Sequence, residues 1–180
     1  MKENPSSIRS KKWIETALLE LMHNTPYSKI NISEICRRAD LTRPTFYQHF
    51  SSKDDVIVRY LDSLFAGFLV EIDKENIVSL HGMTIQFFEF WKHRRSFVLL
   101  LEKNGLFDLL GKQFVAYLNI LFIKFPLETK AISGRQRVYA HAFLSGGLIE
   151  LLRKWIAHDC KEDTTRLADF VEALFTDGWK

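Results

Sequence analysis

Hydrophobic residues recur along this chain at the three- and four-residue spacing of amphipathic α-helices. No segment of four to eight residues alternates strictly between apolar and polar positions, as a half-buried strand would. Proline, glycine and short polar clusters interrupt the helical pattern at intervals. The first predicted helix ends near residue 24. Further helices are predicted over residues 32–39, 43–50, 53–72, 77–93, 95–103, 106–124, 134–158 and 163–177. We therefore predict an all-α protein.

Capping residues support these boundaries in the first third of the chain. Asn31 or Ser33 can cap the second helix, because a short polar side chain accepts a hydrogen bond from the first free amide groups of a helix. Thr42 is suited to cap the third helix, and Pro44 fits its first turn, where a missing amide proton does no harm. Ser52 is suited to start the long fourth helix. In the first helix we expect the apolar side chains to face the core: Trp13, Ala17, Leu18, Leu21 and Met22.

Residues 31–53 contain two short helices joined by a tight turn, which is the arrangement of a helix-turn-helix. An apolar face would pack both helices against the first one, through Ile32, Ile35, Ala39, Leu41, Phe46 and Phe50. The polar face of the second helix would point outward, with Arg43, Thr45, Tyr47, Gln48 and His49. Such a helix fits the major groove of B-DNA, where its polar groups reach base edges and phosphates. Lys53, at the start of the next helix, is placed for a phosphate.

The charge distribution agrees with a polyanionic partner. The formal net charge of the whole chain is only +3. Residues 1–53, however, hold nine Lys or Arg against five Asp or Glu, so the basic excess lies in the segment that contains the helix-turn-helix. A basic front end on a nearly neutral body favours nucleic acid as the partner.

The same segment resembles the TetR family of transcriptional regulators, from about Ile14 to Val58. The resemblance lies in the stretches A-L-L-E-L-M, Y-S-K-I-N-I-S-E-I-C-R-R-A and L-T-R-P-T-F-Y-Q-H-F-S-S-K-D-D-V. The family signature is matched by Thr42, Arg43, Pro44, Thr45, Phe46, Tyr47, Phe50 and Lys53. Asp40 is a departure, because the family usually has glycine in that turn. Aspartate tolerates left-handed backbone geometry better than most residues, so we expect the turn to form.

The resemblance implies two parts and a mode of action. Residues 1–52 would form an N-terminal three-helix DNA-binding domain, and residues 53–180 a helical ligand-binding and dimerisation domain. A homodimer would bind double-stranded DNA at a palindromic operator through Thr42, Arg43, Pro44, Thr45, Tyr47, Gln48, His49 and Lys53. In the family default, a small effector releases a repressor from its operator, and the aromatic content here favours an apolar or aromatic effector.

The last two helices carry more apolar surface than one chain needs, which favours a four-helix dimer interface. Gly146 and Gly147 lie inside a helical pattern, where each glycine costs roughly 1 kcal/mol relative to alanine. Close approach of a second helix would account for them, and their spacing with the following apolar residues is similar to that of regulators from Gram-positive bacteria. The expected dimerisation residues are Gly146, Ile149, Leu152, Trp155, Phe170 and Leu174.

The effector site is expected among aromatic residues of the C-terminal part. The candidates are Phe87, Trp91, Phe107, Phe114, Tyr117 and His141. An aromatic stripe at helical spacing is also typical of an ordinary core, and the sequence leaves both interpretations open.

Other classes of protein find less support. We identify no nucleophile motif, metal-ligand set or cofactor motif, and therefore expect neither an enzyme nor a cofactor. Cys36 and Cys160 are too few for a disulfide framework and fit a reducing cytoplasm. The first residues lack the apolar stretch of a signal peptide, and no apolar run reaches the roughly 18–20 residues that span a bilayer. An activator or coactivator of the same fold, and an interaction module without DNA binding, remain alternatives.

Overall fold

A computed structural model describes residues 4–77, 79–124 and 134–176, and within these ranges the backbone contains no strand. The described elements are α1 (Pro5–Asn24), a 3₁₀ turn (Tyr27–Lys29), α2 (Ile32–Arg38), α3 (Arg43–His49), α4 (Lys53–Lys74), α5 (Leu80–Lys92), α6 (Arg95–Lys103), α7 (Phe107–Lys124), α8 (Gly134–Ala157) and α9 (Thr164–Thr176). The prediction of an all-α fold is confirmed.

The helices α1, α2 and α3 share one apolar core. Ile14 and Leu18 of α1, Ile35 of α2 and Phe46 of α3 are completely shielded from solvent, and Phe50 is buried directly after α3. Burying a side chain of this size contributes about 1.5–3 kcal/mol. Helices as short as the seven residues of α2 and of α3 are not stable alone in water. Tertiary packing therefore keeps these two helices folded.

Trp13 lies on the outer side of α1, with 51% of its surface exposed, so its predicted place in the core is wrong. The buried stripe of α1 instead runs through Ile14, Ala17, Leu18 and Met22. Successive residues of a helix are rotated by about 100°, so a stripe centred on Ile14 and Leu18 leaves position 13 at its edge. The periodicity alone allowed either side.

Side-chain caps begin the three helices that follow α1. Asn31 forms a capping box, in which its Oδ1 accepts a hydrogen bond from the Glu34 amide at 3.0 Å while the Glu34 carboxylate accepts one from the Asn31 amide at 2.9 Å. Thr42 Oγ1 accepts a hydrogen bond from the Thr45 amide at 3.3 Å. Ser52 caps α4 in the same way at 3.1 Å. A cap of this kind contributes about 1 kcal/mol, and all three starts agree with the sequence prediction.

Asp40 occupies the turn between α2 and α3 with a left-handed backbone, at a φ of 54°. The amide of Leu41 donates to the Cys36 carbonyl at 2.9 Å, which closes the end of α2. Glycine is the residue that adopts this conformation without strain. Aspartate therefore fills a glycine position, as the sequence suggested, and the turn keeps the geometry that sets α3 against α2.

The remaining helices form the C-terminal part around an aromatic core. α4 packs against α1 at one end and against α5 and α7 further along, α5 packs along α9, and α7 packs along α8. Trp91 of α5 is completely buried, and Phe88 meets Trp155 of α8 edge to face, with ring centroids 5.2 Å apart. A polar contact fixes α9, because Thr164 Oγ1 donates to the Glu89 carboxylate at 2.8 Å.

The turn yields a stability prediction. Replacing Asp40 by glycine should raise the free energy of unfolding by up to about 1 kcal/mol, because relief of left-handed strain outweighs the added freedom of the unfolded chain. Alanine at this position has the same strain without the local hydrogen-bonding ability of aspartate, and should lower the free energy of unfolding. Urea unfolding of the three proteins tests this order. A glycine variant less stable than the parent would contradict the assigned strain.

Candidate nucleic-acid interface

The outward face of α3 is polar and accessible. Arg43, Pro44 and Gln48 are exposed, Tyr47 has half of its surface in solvent, and Thr42 is exposed at the cap. Thr45 and His49 are half-buried on the flanks of this face. Seven of the eight predicted DNA contacts therefore lie on α3 or its cap, at positions that are exposed or half-buried: Thr42, Arg43, Pro44, Thr45, Tyr47, Gln48 and His49.

The buried side of α3 determines this orientation. Phe46 and Phe50 are four residues apart, and their rings lie 5.9 Å apart within the core of the first three helices. Tyr47 packs against Phe46 with the ring planes nearly perpendicular and the centroids 5.5 Å apart, so its ring is supported while half of its surface stays exposed. The side opposite Phe46 and Phe50 is the side that faces solvent.

The first turn of α3 holds two polar groups in place. Thr42 and Thr45 share a hydroxyl hydrogen bond of 2.8 Å. The Arg43 guanidinium lies 3.4 Å from Ser33 Oγ of α2 and 6.0 Å from the centre of the Tyr47 ring. These contacts are exposed, and arginine still offers other N–H donors for a base or a phosphate. The first turn of α3 thus presents a cation and hydroxyl groups without fixing all their hydrogen-bonding capacity.

Lys53 has a structural contact that the sequence did not reveal. Its Nζ donates to the carbonyl oxygens of Tyr27 at 2.6 Å and Ile30 at 2.8 Å, and lies 4.3 Å from the centre of the Tyr27 ring. An ammonium group has three N–H donors, so one remains for a phosphate. Lys53 therefore ties the start of α4 to the 3₁₀ turn that precedes α2.

Tyr27 completes this contact on its other side. Its hydroxyl donates a hydrogen bond to the Asp54 carboxylate. Burial and this neighbouring carboxylate raise the pKa of Tyr27, so the hydroxyl stays protonated at physiological pH. Periodicity and motifs do not predict this pairing, because Tyr27 and Asp54 are 27 positions apart along the chain.

Two arginines at the end of α2 differ in their surroundings. Arg38 pairs with Glu20 of α1, with nitrogen-to-oxygen distances of 2.6 and 2.7 Å, and its charge is thereby partly neutralised. Arg37 is exposed at the same helix end. Of the two, Arg37 is the better placed for an anion, because no carboxylate partner neutralises it among the described ion pairs.

The predicted dimerisation residues do not share one surface. Gly146 is exposed and Phe170 has 51% of its surface in solvent, whereas Ile149 and Leu174 are half-buried. Leu152 and Trp155 are buried inside the chain and cannot form an outer surface. Both side chains are covered by the chain itself, Trp155 in part by Phe88 of α5, so neither is available to a second copy. Trp155 also donates its indole N–H to the Glu162 carbonyl at 2.9 Å.

An exposed apolar face does lie on α8 and α9, displaced from those two residues. It consists of Val138, Tyr139, Phe143, Gly146, Gly147 and Phe170, with Leu151 and Leu174 at its inner edge. Tyr139 and Phe143 have 76% and 61% of their surfaces exposed. A Cβ atom added to Gly146 or Gly147 would have no neighbour within 4 Å. This patch, which we call the α8–α9 face, has free space above its glycines.

The aromatic effector candidates also separate. Phe87 and Phe114 line an apolar cavity of about 30 Å³ between α4, α5, α7 and α8, together with Phe68, Leu80, Met83, Thr84, Leu118, Leu121, Leu144 and Leu148. The other four do not line it. Trp91 packs against Phe65, Tyr117 stacks on Phe65 at 4.7 Å, Phe107 lies in an outer groove beside Arg153, and His141 is half-buried on α8. Two of the six candidate residues, Phe87 and Phe114, therefore line this cavity.

Two further properties concern the described residues alone. In residues 4–77, 79–124 and 134–176, no group of three His, Cys, Asp or Glu side chains is arranged to hold a metal ion. In the same ranges, no helix combines the length and the apolar character that a membrane span requires.

Comparison with known sequences gives matches along most of the chain. The family model of bacterial regulatory proteins, tetR family, matches residues 14–60. A second model, that of a transcriptional regulator C-terminal region, matches residues 79–177 and by itself covers more than half of the chain. A curated relative, the uncharacterized HTH-type transcriptional regulator YwcC of Bacillus subtilis (strain 168), is 27% identical over 89 residues. That match covers 44% of this chain and 40% of the relative.

Solved structures share the whole architecture. The fatty acid degradation regulator FadR from Bacillus halodurans has a TM-score of 0.66 and 18% identity, with 100% of this chain and 99% of that chain covered. The dihydroxyacetone kinase operon activator DhaS has a TM-score of 0.60 and 17% identity, with coverage of 94% and 96%. FadR from Bacillus subtilis, in complex with stearoyl-CoA, has a TM-score of 0.56 and 16% identity, with coverage of 93% and 99%.

At these identities the structural matches show the fold alone. The sequence models add the family, and the first of them contains every residue of the outward face of α3. The chain belongs to the TetR family and is a DNA-binding transcriptional regulator.

Proposed function

We propose that this regulator represses transcription as a homodimer that binds a palindromic operator, and that a small apolar ligand releases it. The DNA-binding part of this proposal rests on the polar face of α3. This face is exposed to solvent because Phe46 and Phe50, on the opposite side of the helix, are buried. Thr45, Gln48 and Arg43 would read bases, and Tyr47 and Lys53 would contact phosphates. Residues 1–52 would serve as the reading part and residues 53–180 as the effector and dimerisation part.

The geometry of B-DNA constrains how such a dimer works. Two copies of α3 must lie roughly 34–36 Å apart to enter successive major grooves on one side of the duplex. A ligand that tilted α4, which begins at Lys53 beside the reading part, would change that separation and weaken binding. The ligand shifts this balance only by its difference in affinity for the two separations.

The α8–α9 face supports the homodimer. Large aromatic side chains exposed on one helix face, such as Tyr139 and Phe143, are typical of an interaction surface. The same face in a second copy would bring two α8 helices together across a two-fold axis, with Gly146 and Gly147 at the crossing. The interface that we propose therefore keeps Gly146, Phe170 and Leu174 and leaves out the buried Leu152 and Trp155.

The cavity between α4, α5, α7 and α8 supports an apolar effector. Its lining contains one polar side chain, Thr84, whose hydroxyl already donates to the Leu80 carbonyl at 2.8 Å. A volume of about 30 Å³ equals the space of roughly one water molecule, so a ligand must displace Leu80, Met83 or their neighbours to enter. An acyl chain has the required flexibility and apolar surface. A solved relative of the same fold carries stearoyl-CoA.

An activator of the same fold is the second candidate. It is favoured by the structural similarity to DhaS, which is described as an operon activator. A reporter strain with and without the chain distinguishes the two signs of regulation. Reporter expression that rises on deletion supports repression, and expression that falls supports activation.

Selection of bound DNA from a random pool tests the proposal as a whole. We expect a palindrome whose half-sites are about one helical turn apart, because the two copies of α3 are related by a two-fold axis. Recovery of no enriched sequence by the folded full chain would reject DNA reading. A single half-site without symmetry would reject the proposed dimer.

Base reading by α3 predicts a change in sequence preference. Replacing Gln48 by alanine should relax the preference at particular base pairs by roughly 1–3 kcal/mol, since a lost pair of base contacts affects some sequences and not others. Thr45→Ala should act in the same way at other positions. The selected sequence profile of each variant is the measurement, and Asn119→Ala on the exposed side of α7 is the control. Profiles identical to the parent profile would exclude both residues as base readers.

Removal of the Lys53 ammonium group should affect DNA binding and stability separately. Lys53→Ala should weaken binding to all DNA sequences and reduce the slope of log affinity against log salt by about one per subunit. It should also lower the free energy of unfolding by about 1–3 kcal/mol, because the Tyr27 and Ile30 carbonyls lose their donor. Tyr47→Ala should weaken binding to all sequences without the change in salt slope.

The control for Lys53 is the removal of a distant charge. Lys112→Ala takes an exposed cation from α7, far along the chain from α3, and should leave the salt slope unchanged. An unaltered slope in Lys53→Ala would remove this residue from the phosphate contacts and leave it only its structural role.

The dimer interface can be tested with a pair of glycines. Gly146→Asp and Gly67→Asp both add a carboxylate where a Cβ meets no atom within 4 Å in the chain, so neither change disturbs the packing of one copy. Gly146→Asp should give monomers, because it brings two charges together at the crossing of the α8 helices, whereas Gly67→Asp on α4 should stay dimeric. Sedimentation velocity measures both. A dimeric Gly146→Asp protein would move the interface elsewhere.

The effector proposal is tested with acyl compounds on the selected operator. Stearoyl-CoA and stearate should both release the protein from DNA, while free coenzyme A should not, because only the acyl chain fits an apolar cavity. Leu148→Phe, whose larger side chain takes up the free volume of the cavity, should bind DNA normally and resist release. Release by coenzyme A alone, or no response to any acyl compound, would contradict the assigned class of ligand.

A further inference from the structure

The end of α6 is fastened to the end of α1 by side chains that satisfy backbone groups. Asn104, directly after α6, donates from Nδ2 to the Met22 carbonyl at 3.3 Å and accepts the Tyr27 amide at Oδ1 at 2.9 Å. Lys103 donates to the His23 carbonyl at 2.9 Å. Met22 and His23 lie in the last turn of α1, where carbonyl groups lack a partner within the helix. Side chains at the end of α6 thus donate hydrogen bonds to two carbonyl groups in the last turn of α1.

Tyr27 connects this contact to the start of α4. Its amide is held by Asn104 of the effector part, its carbonyl by Lys53, and its hydroxyl by Asp54. Lys53 also holds the carbonyl of Ile30, the residue immediately before the cap of α2. The chain of hydrogen bonds therefore runs from the end of α6 through the 3₁₀ turn to both α4 and α2.

On its other side, Asn104 is close in sequence to the wall of the apolar cavity. Gly105 follows it with a φ of +69°, and α7 begins at Phe107. Phe114 and Leu118 of α7 line the cavity. Two residues separate Asn104 from the start of α7, so Asn104 links the end of α1 with the helix that lines the cavity.

We propose that Asn104 is a positioning residue, which holds the reading part at a fixed angle to the effector part and so sets the separation of the two α3 helices in the dimer. We call the contacts of Asn104 and Lys103 with Met22, His23 and Tyr27 the α6 joint. The proposal deepens the proposed function, because it states how a change in the effector part reaches α3 by a route separate from the tilt of α4.

The first test measures the angle directly and requires no DNA. Spin labels are placed at Gln48→Cys on α3 and Lys154→Cys on α8, both exposed positions, in a Cys160→Ser background that retains the buried Cys36. The labelled chain is diluted with unlabelled chain, so that distances within one chain dominate in double electron–electron resonance. Asn104→Leu should broaden or shift the distance distribution, because leucine keeps the branched shape of the side chain and loses all three of its hydrogen bonds.

Matched variants separate the joint from general destabilisation. Asn119→Leu makes the same exchange at an exposed position of α7 and should leave the distribution unchanged. Lys103→Ala removes only the contact with His23 and should change the distribution in the same direction but less. If Asn104→Leu does not fold, Lys103→Ala and Asn104→Asp, which keeps the acceptor for Tyr27 and loses the donors, still test the joint. Unchanged distributions in all folded joint variants would overturn the proposal.

The second test measures preference for operator spacing, which a purely structural residue would not alter. Affinities are compared for the selected operator and for versions with half-sites one base pair closer or further apart. Asn104→Leu should lower affinity for the selected spacing by about tenfold, in line with the loss of hydrogen bonds to backbone groups, and should affect the other spacings less. An equal loss at all spacings would overturn the role in positioning.

Together, the two tests distinguish failure of the α6 joint from failure of the proposed function. A changed label distance together with no DNA binding by the parent chain would support the α6 joint and reject the proposed function. Normal operator binding together with unchanged distances and an unchanged spacing preference would reject the α6 joint and leave the proposed function intact.

Discussion

The seven residues of α3 are too few to form a stable helix in water, so every property of the reading face depends on what α3 is packed against. Phe46 and Phe50 supply that anchorage and lie one helical turn apart in the shared core of α1, α2 and α3. Once these two rings are buried, the opposite side of the helix has to face solvent. The chemistry offered to DNA is therefore a consequence of aromatic burial, and the polar residues occupy positions that packing leaves free.

Side chains satisfy the backbone hydrogen-bonding groups at the ends of several elements. Helix ends leave carbonyl and amide groups without partners, and in this chain several are satisfied by long side chains from distant parts of the sequence. Lys53 serves the 3₁₀ turn, and Asn104 and Lys103 serve the end of α1. These contacts connect the first three helices to α4 and to the end of α6.

The C-terminal helices show how one helix serves two environments. The inner side of α8 carries Leu152 and Trp155, which complete the core, while its outer side carries Tyr139 and Phe143 in solvent. Both sides are apolar, so hydrophobicity alone does not say which side belongs to the chain and which to a partner. The small apolar cavity nearby has the same origin, because it is the space left where four helices with large side chains meet.

The sequence by itself determined the helical fold, the starts of α2, α3 and α4, the left-handed turn at Asp40 and the polar face of α3. These features follow from local rules, since caps, turns and helical spacing act within a few residues. The tertiary structure alone decided that Trp13 faces solvent, that Trp155 is core, and that Lys53 and Asn104 hold the ends of other elements. Each of these depends on which helices become neighbours across long separations in sequence, and periodicity reports that a helix has an apolar side without reporting what covers it.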